Sequence, residues 1–224
     1  LQSRKLASIG TLASGVAHEL NNPLNNIYLA AQILLKEIGH EICPAVVKET
    51  VGDIFSQTLR VKRIVSDLLE FAREKAPELK RINIAETIRS VIEQMKASGE
   101  IDGIRCDFIP EDLIELSADM HLMEQLFINL FTNARDAMEA NGLLKIEVYP
   151  LNNDIRIMVS DTGKGIPAAD IPRIFDPFFT TKDRGTGLGL AIVYSIIKKH
   201  NGNIKVKSED GKGTTFTITL PKAL

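Results

Sequence analysis

Three short segments carry residue types that could hold a metal ion, a flat ligand and an anion. Asn129 and Asn133 sit four residues apart, so on a helix they face the same way, and carboxamide oxygens so placed suit Mg²⁺, which takes hard oxygen ligands and keeps several waters. Asp161-Thr162-Gly163-Lys164-Gly165 follows an apolar run; its glycines let backbone approach a flat ligand, and its carboxylate can accept from an exocyclic amine. Gly185-Thr186-Gly187-Leu188-Gly189 leads straight into a helical pattern, where free N–H groups favour an anion such as a phosphate. This glycine run is neither a Walker A loop, which ends in Gly-Lys-Ser/Thr, nor a dinucleotide-binding turn, which would follow the first strand. A fourth residue, His18, lies far upstream beside Glu19. Helical spacing sets it with Ser14, Gly15, Asn21, Asn22 and Asn25 on a polar flank, where the imidazole meets solvent. Taken singly, each feature has a plain reading: a solvated pair of Asn, a strand-to-loop turn, a chance glycine run, a surface histidine.

The elements that must position these residues change character along the chain. Apolar or small residues at Leu6, Ile9, Ala13, Val16, Leu20, Leu24, Ile27, Ala31 and Leu34 form a ladder of threes and fours, predicting a bundle helix. The repeated step of four from Leu20 to Leu24 is a stutter, and Pro23 inside it predicts a bend just after His18. A second ladder runs through Val47, Val51, Ile54, Thr58, Val61, Val65, Leu68 and Ala72. Gly39 to Pro44 supplies the breakers of a connecting loop. Phe55, Ile64, Leu69 and Phe71 widen the apolar surface beyond one seam, which implies pairing with a second copy in a four-helix bundle.

After Ala76-Pro77 the pattern alternates short strands with amphipathic helices, so the predicted domains are residues 1–76 and 77–224. Strands are predicted at 82–84, 104–109, 113–117, 143–149, 155–160, 202–208 and 214–220, and helices at 85–97, 119–140 and 187–199. Hairpin turns at Asn152-Asn153 and Gly211-Lys212-Gly213 predict a mixed sheet with helices on one face. The fold class is thus multidomain: an antiparallel helical hairpin, then an α/β sandwich.

Composition removes other classes. With 224 residues and 44% hydrophobic content the chain can bury one large core or two small ones. A formal charge of −2, without a basic run interleaved with aromatics, gives nucleic-acid binding no support. Cys43 and Cys106 have no partner pattern and read as ordinary thiols rather than a disulfide or zinc site. Leu20 to Leu35 is free of charge, but its four Asn and a Pro make it unsuited to span a membrane. Beginning at Leu1 inside a helical pattern, the sequence reads as a soluble, cytoplasmic fragment of something longer, whose sensory or membrane-bound parts would lie upstream.

Order and spacing together are more specific than any one segment, and they resemble the motif set of histidine protein kinases over nearly the whole chain. His18-Glu19-Leu20-Asn21-Asn22-Pro23-Leu24 is similar to the family's H box, Asn129-Leu130-Phe131-Thr132-Asn133-Ala134-Arg135-Asp136-Ala137 to its N box, and Asp161-Thr162-Gly163-Lys164-Gly165 to its first glycine box. Phe175-Asp176-Pro177-Phe178-Phe179-Thr180-Thr181-Lys182 resembles the F box, Gly185 to Gly189 the second glycine box, and Gly211-Lys212-Gly213-Thr214-Thr215 the turn between the last two strands.

This resemblance implies a Bergerat-type ATP site of the kind found in gyrase and heat-shock chaperone ATPases. Asp161 would contact the adenine amino group, and Asn133 would ligate Mg²⁺ with Asn129 nearby. Gly163, Gly165 and Thr214 would line the nucleotide site, and Pro167 to Arg184 would be a mobile lid. Lys182 and the segment Gly185, Thr186, Gly187, Leu188 and Gly189 would lie near the phosphates. In the ATPase branches the first N-box position is a Glu that activates water; Asn129 cannot serve as that base, which favours transfer to a side chain. His18 would be the phosphoryl acceptor, Glu19 its proton acceptor or polariser, and a response-regulator Asp the next acceptor. Asn22, in the pattern Glu19-Leu20-Asn21-Asn22, would orient water for a regulator phosphatase step. Activity would require the ATP domain to swing about Glu74 to Arg81. Asp136 stands where some members have Lys, which leaves phosphate contact to Arg135 or Lys182. Two other readings stay open: a dimeric nucleotide-binding adaptor that does not use His18, and a net phosphatase.

Overall fold

The computed structural model of the chain describes residues 20–34, 44–72, 76–108, 114–139, 141–182 and 185–222. His18 and Glu19, the connecting loop predicted at Gly39 to Pro44 except its last residue, and Cys43 lie outside them. The chain divides into two compact units, Leu1–Arg73 with Thr181–Thr186, and Glu74–Thr180 with Gly187–Leu224.

In the first unit a helix covers residues 20–34 (α1) and another covers Pro44–Ala72 (α2). Residues 20–22, just after His18, are helical, as is Pro23. The seam on α2 differs from the predicted ladder. Val47, Ile54, Val61 and Leu68 are half-buried as expected, but the positions between them that turn inward are Thr50 and Ile64, at 8% and 0% exposure. Val51 and Val65 are exposed instead, with Val46, Phe55 and Leu59. Thr50 is tolerated inside because its hydroxyl donates to the Val46 carbonyl one turn back, at 2.7 Å. On α1, Leu24, Tyr28, Leu29 and Ile33 are likewise exposed. Each helix thus has a second apolar flank beyond the one it buries. Among the described residues no helix is long and apolar enough to cross a membrane.

The second unit begins with β1 (Lys80–Asn83) and α3 (Ile84–Ala97), followed by β2 (Ile104–Phe108), β3 (Glu115–Ala118) and α4 (Met120–Met138). Then come β4 (Gly142–Pro150), β5 (Asp154–Asp161), a short 3₁₀ turn at Ile171–Arg173, α5 (Gly189–Lys199), β6 (Asn203–Glu209) and β7 (Gly213–Pro221). Helix starts follow local chemistry. Asn83 caps α3 by accepting from the Ala85 N–H, and Asp119 caps α4 by accepting from His121 and Leu122, each cap stabilising its helix by about 1 kcal/mol. Ile84, predicted as the end of a strand, is therefore the first residue of a helix.

Five strands form one sheet in the order β2-β4-β5-β7-β6, and β1 pairs with β3 in a separate antiparallel ribbon. Only β2 and β4 run parallel; the others are antiparallel, as the predicted hairpins require. Register explains how the sheet makes a site. Ile146, Val159, Phe216 and Val206 form one cross-strand row, and Val148, Ile157, Ile218 and Ile204 the next. Apart from the half-buried Val206 these are buried. Burying a side chain of this size stabilises the fold by about 1.5–3 kcal/mol. The following row on the same face is Leu144, Asp161, Thr214 and Ser208. The covered face of the sheet therefore turns polar at one end.

Candidate nucleotide site

Three elements converge on that polar row. The Asp161 carboxylate accepts from the Gly163 N–H at 2.9 Å and from the Thr214 N–H. Burial pushes its pKa above the usual carboxylate range, and those two donors hold it back. The acid is thus positioned by backbone N–H donors, an arrangement that suits a further neutral donor such as an amine.

The glycines around Asp161 are present because backbone passes where a side chain cannot. A Cβ on Gly163 would lie 2.7 Å from the Ala137 carbonyl carbon of α4, and one on Gly165, at φ +74°, would collide with the Glu209 carbonyl oxygen. Lys164 N–H donates to the Ala137 carbonyl at 3.0 Å, and the Gly211 N–H donates to the Lys164 carbonyl at 2.6 Å. The loop after β5 is in this way pinned between the end of α4 and the β6–β7 turn.

Ser208, which the sequence reading did not single out, joins the same loops. Its Oγ accepts from the Ile166 N–H at 2.8 Å, donates to the Gly213 carbonyl at 3.0 Å, and lies 2.9 Å from Thr214 Oγ1. One hydroxyl has one proton, so Thr214 is the donor in the last contact. Nothing in a lone Ser on a strand marks such a role; only its register with Thr214 and Asp161 does.

Asn129 and Asn133 lie on α4 and approach the start of α5. A Cβ on Gly189 would sit 3.7 Å from Asn133 Nδ2 and 3.8 Å from Asn129 Oδ1. Asn129 Nδ2 is buried without a hydrogen-bond partner, an arrangement that costs free energy unless something else meets the carboxamide. The first turn of α5 faces the same place. Leu188 at its N-cap is fully buried and makes no side-chain cap bond, and no acidic residue occupies the turn, so no carboxylate of that turn would compete with an anion at the positive end of the helix.

The F-box segment is fastened rather than loose through most of its length. Ile174 is buried, the Phe175 and Tyr194 rings are 5.5 Å apart, and the Arg173 guanidinium lies 4.7 Å from the centre of the Phe179 ring. Phe178, at φ +66°, donates its N–H to the Gly187 carbonyl at 3.0 Å. Within the predicted lid, Pro167 to Arg184, the residues from Ile174 to Phe179 are thus held by packing and hydrogen bonds. Lys182, Gly185 and Thr186 belong to the segment Thr181–Thr186, in which Gly185 N–H donates to the Lys182 carbonyl at 3.2 Å. Arg135 donates to Asp136 through Nε and Nη2, at 2.9 and 2.7 Å, and pairs with Glu100 at 3.5 Å. Of the two cations considered for phosphate contact, Arg135 is thus taken by carboxylates.

On the hairpin, Asn22 is exposed on α1, with Asn21, Asn25 and Asn26. Cys106 is half-buried on β2, and burial raises its thiol pKa. Among the described residues no group of three His, Cys, Asp or Glu could hold a metal ion.

Comparison with known proteins agrees with this layout. Residues 118–224 match the family described as histidine kinase-, DNA gyrase B- and HSP90-like ATPases, and residues 8–77 match the His kinase A (phospho-acceptor) domain. The chain is 34% identical to the sensor histidine kinase ZraS of Escherichia coli K12 over 98% of its own length and 47% of that protein. It is 35% identical to sporulation kinase A of Bacillus subtilis over 99% of its length and 36% of that kinase. It spans about half the length, or less, of these curated relatives. Among solved structures, the catalytic domain of histidine kinase ThkA aligns with a TM-score of 0.60 at 34% identity, covering 65% of this chain and 97% of that one. ThkA in complex with the response regulator TrrA aligns with a TM-score of 0.79 at 29% identity over 98% of this chain and 64% of that one. With a His kinase A domain followed by an ATPase domain of the histidine kinase, gyrase and HSP90 type, the chain belongs to the sensor histidine kinases of two-component systems.

Proposed function

We propose that this chain uses ATP to phosphorylate His18 and passes the phosphoryl group to an Asp of a response regulator. The observation that carries the reading is the row Asp161, Thr214 and Ser208, set against α4 and the start of α5. Asp161 accepts from the adenine amino group, and Gly163, Gly165 and Thr214 shape the wall beside it. Gly187, Leu188 and Gly189 offer backbone N–H groups to the phosphates, with Gly185, Thr186 and Lys182 closing from the lid.

Mg²⁺ fits the donors present: the Asn129 carboxamide, whose buried Nδ2 has no hydrogen-bond partner, and the adjacent Asn133 offer oxygen ligation once the two ends of an amide are assigned to suit. When bound, Mg²⁺ neutralises phosphate charge. Asn133 would hold it, with Asn129 beside it. Because Asn129 cannot take a proton from water, the site favours transfer over hydrolysis.

In the transfer itself a neutral nitrogen of His18 forms a bond to the γ-phosphorus while the bond to the ADP oxygen breaks, and Glu19 accepts or polarises the ring proton. The phosphoramidate then gives its phosphoryl group to the regulator carboxylate. ThkA is a relative whose structure contains such a regulator. Asn22, exposed one turn beyond His18, would orient water for the reverse, phosphatase step. Residues 1–76 would act as the dimerisation and phosphotransfer hairpin, a second copy covering the exposed flank of Leu24, Tyr28, Val51 and Phe55, and residues 77–224 as the catalytic domain. We place both on the cytoplasmic side of any membrane to which the whole protein is attached.

The test is incubation with γ-labelled ATP and Mg²⁺ of the wild type, His18→Gln and Asn133→Ala. Acid-labile label that disappears in both variants supports the reading. ATP binding without label in the wild type would overturn it in favour of an adaptor.

A further inference from the structure

The chain enters the second unit through a junction that the phosphotransfer chemistry does not use. Glu78 donates its backbone N–H to Asp119 Oδ2 at 2.9 Å, while Asp119 Oδ1 accepts from His121 and Leu122 at 3.1 and 3.3 Å. The backbone N–H of Asp119 in turn donates to His200 Nε2 at 3.1 Å, and His200 Nδ1 lies 2.8 Å from the Ile196 carbonyl. A carbonyl oxygen only accepts and an N–H only donates, so Nδ1 bears the proton and Nε2 is bare: the ring is neutral and in one tautomer. His200 is fully buried at the end of α5, and Asp119 caps α4.

Downstream of Glu78 the chain is fastened continuously. Lys80 to Asn83 pair with Glu115 to Ala118, Arg81 forms an ion pair with Glu115, and Ser117 N–H donates to the Lys222 carbonyl. A swing region extending from Glu74 to Arg81 would have to break these bonds. Upstream of Glu78 nothing comparable holds the described residues, Ala76 and Pro77, beyond the turn in which Leu79 N–H donates to the Pro77 carbonyl.

We propose that His200 is a positioning residue for autophosphorylation: by fixing Asp119 it clamps the linker at Glu78, so that interdomain rotation is confined to residues before Glu78. The inference rests on the kinase reading above. Losing the clamp adds residues to the tether, and a longer tether presents the γ-phosphate to His18 less often in a productive orientation. The clamp does not touch the nucleotide, so the turnover rate falls while the ATP requirement stays unchanged.

Two substitutions at His200 separate its two bonds. His200→Gln can place an acceptor where Nε2 now meets Asp119, whereas His200→Asn can keep the bond to Ile196 but leaves Asp119 without its acceptor. Glu78→Pro removes the linker donor itself at the exposed end of the network and leaves the buried ring intact, so it serves where a core variant fails to fold. With γ-labelled ATP in steady state, we expect His200→Asn and Glu78→Pro to lose about tenfold in the rate of His18 labelling at unchanged KM for ATP, and His200→Gln to retain most of the rate. Wild-type labelling in the same series tests the kinase reading separately. An unchanged rate in Glu78→Pro, or a rate loss matched by a rise in KM for ATP, would overturn the clamp even where the wild type labels normally.

Discussion

Phe178 and Gly187 hold each other's backbones: both have positive φ, +66° and +65°, and the Phe178 N–H donates to the Gly187 carbonyl at 3.0 Å. A bulky aromatic residue in this region is strained and persists only where its surroundings fix it. Here the fixing element is the close approach of a residue without Cβ, since one on Gly187 would overlap the Phe178 backbone. The Phe178 backbone is thereby tied to the residues that lead into α5.

Gly187→Ala should therefore damage two functions at once. The left-handed conformation costs a residue with a side chain about 1–2 kcal/mol, before the collision with Phe178 is counted. Thermal unfolding should show a loss of at least that size. ATP affinity should fall with it, because the first turn of α5 follows directly.

Asp161→Asn should uncouple stability from binding. Burial raises the folded-state pKa of Asp161 above its unfolded value. Between those two values the folded protein holds a proton that the unfolded chain has released, so stability falls as pH rises through the window and stays lower above it. Asparagine does not titrate there and can still accept from Gly163 and Thr214. At neutral pH the variant should be as stable as the wild type or more so in urea, yet bind ATP about 10- to 100-fold more weakly by calorimetry.

Ser208→Ala removes a side chain that no motif includes. The Ile166 N–H would lose its acceptor in a half-buried place, at a cost of about 1–3 kcal/mol. The loop after Asp161 would lose one of its fastenings. Hydrogen exchange should report faster exchange at Ile166 and little change at Ile157 in the middle of β5.

A pH series should isolate His200. Burial, helped by Lys199, lowers its pKa, while the Ile196 carbonyl and the Asp119 charge oppose the shift. As pH falls below the unfolded histidine value of about 6.5, the unfolded chain takes a proton that the folded ring refuses, and stability drops until the folded pKa is reached. Comparing urea midpoints at about pH 7.5 and 5.5, the wild type should lose more stability than His200→Gln. Equal losses would remove His200 from the acid response.

What the sequence made legible was local. Gly163, Gly165 and Gly187 stand where backbone must pass closely or take positive φ, and Asp161 ends a strand whose alternation is plain, so each could be placed from its neighbours. What it hid was set by register and distance along the chain. Ser208 looks like any exposed strand residue until β7 aligns it with Thr214, and Asp119 and His200 are 81 residues apart. The α2 seam misled for another reason. Val47, Ile54, Val61 and Leu68 fit either flank, and Val51 and Val65 are more apolar than Thr50; a helix with two apolar flanks gives composition no way to tell which one its own hairpin buries.

The strand order also governs when the kinase can acquire its ATP site during synthesis. β7 is the last of the described strands, but it lies inside the sheet between β5 and β6, and it supplies Thr214 to the Asp161 carboxylate. Domains fold as units as they leave the ribosome, N-terminal parts first. The helices of the first unit can therefore form while the catalytic domain still lacks an interior strand, so the ATP-binding domain is completed only once β7 has been made.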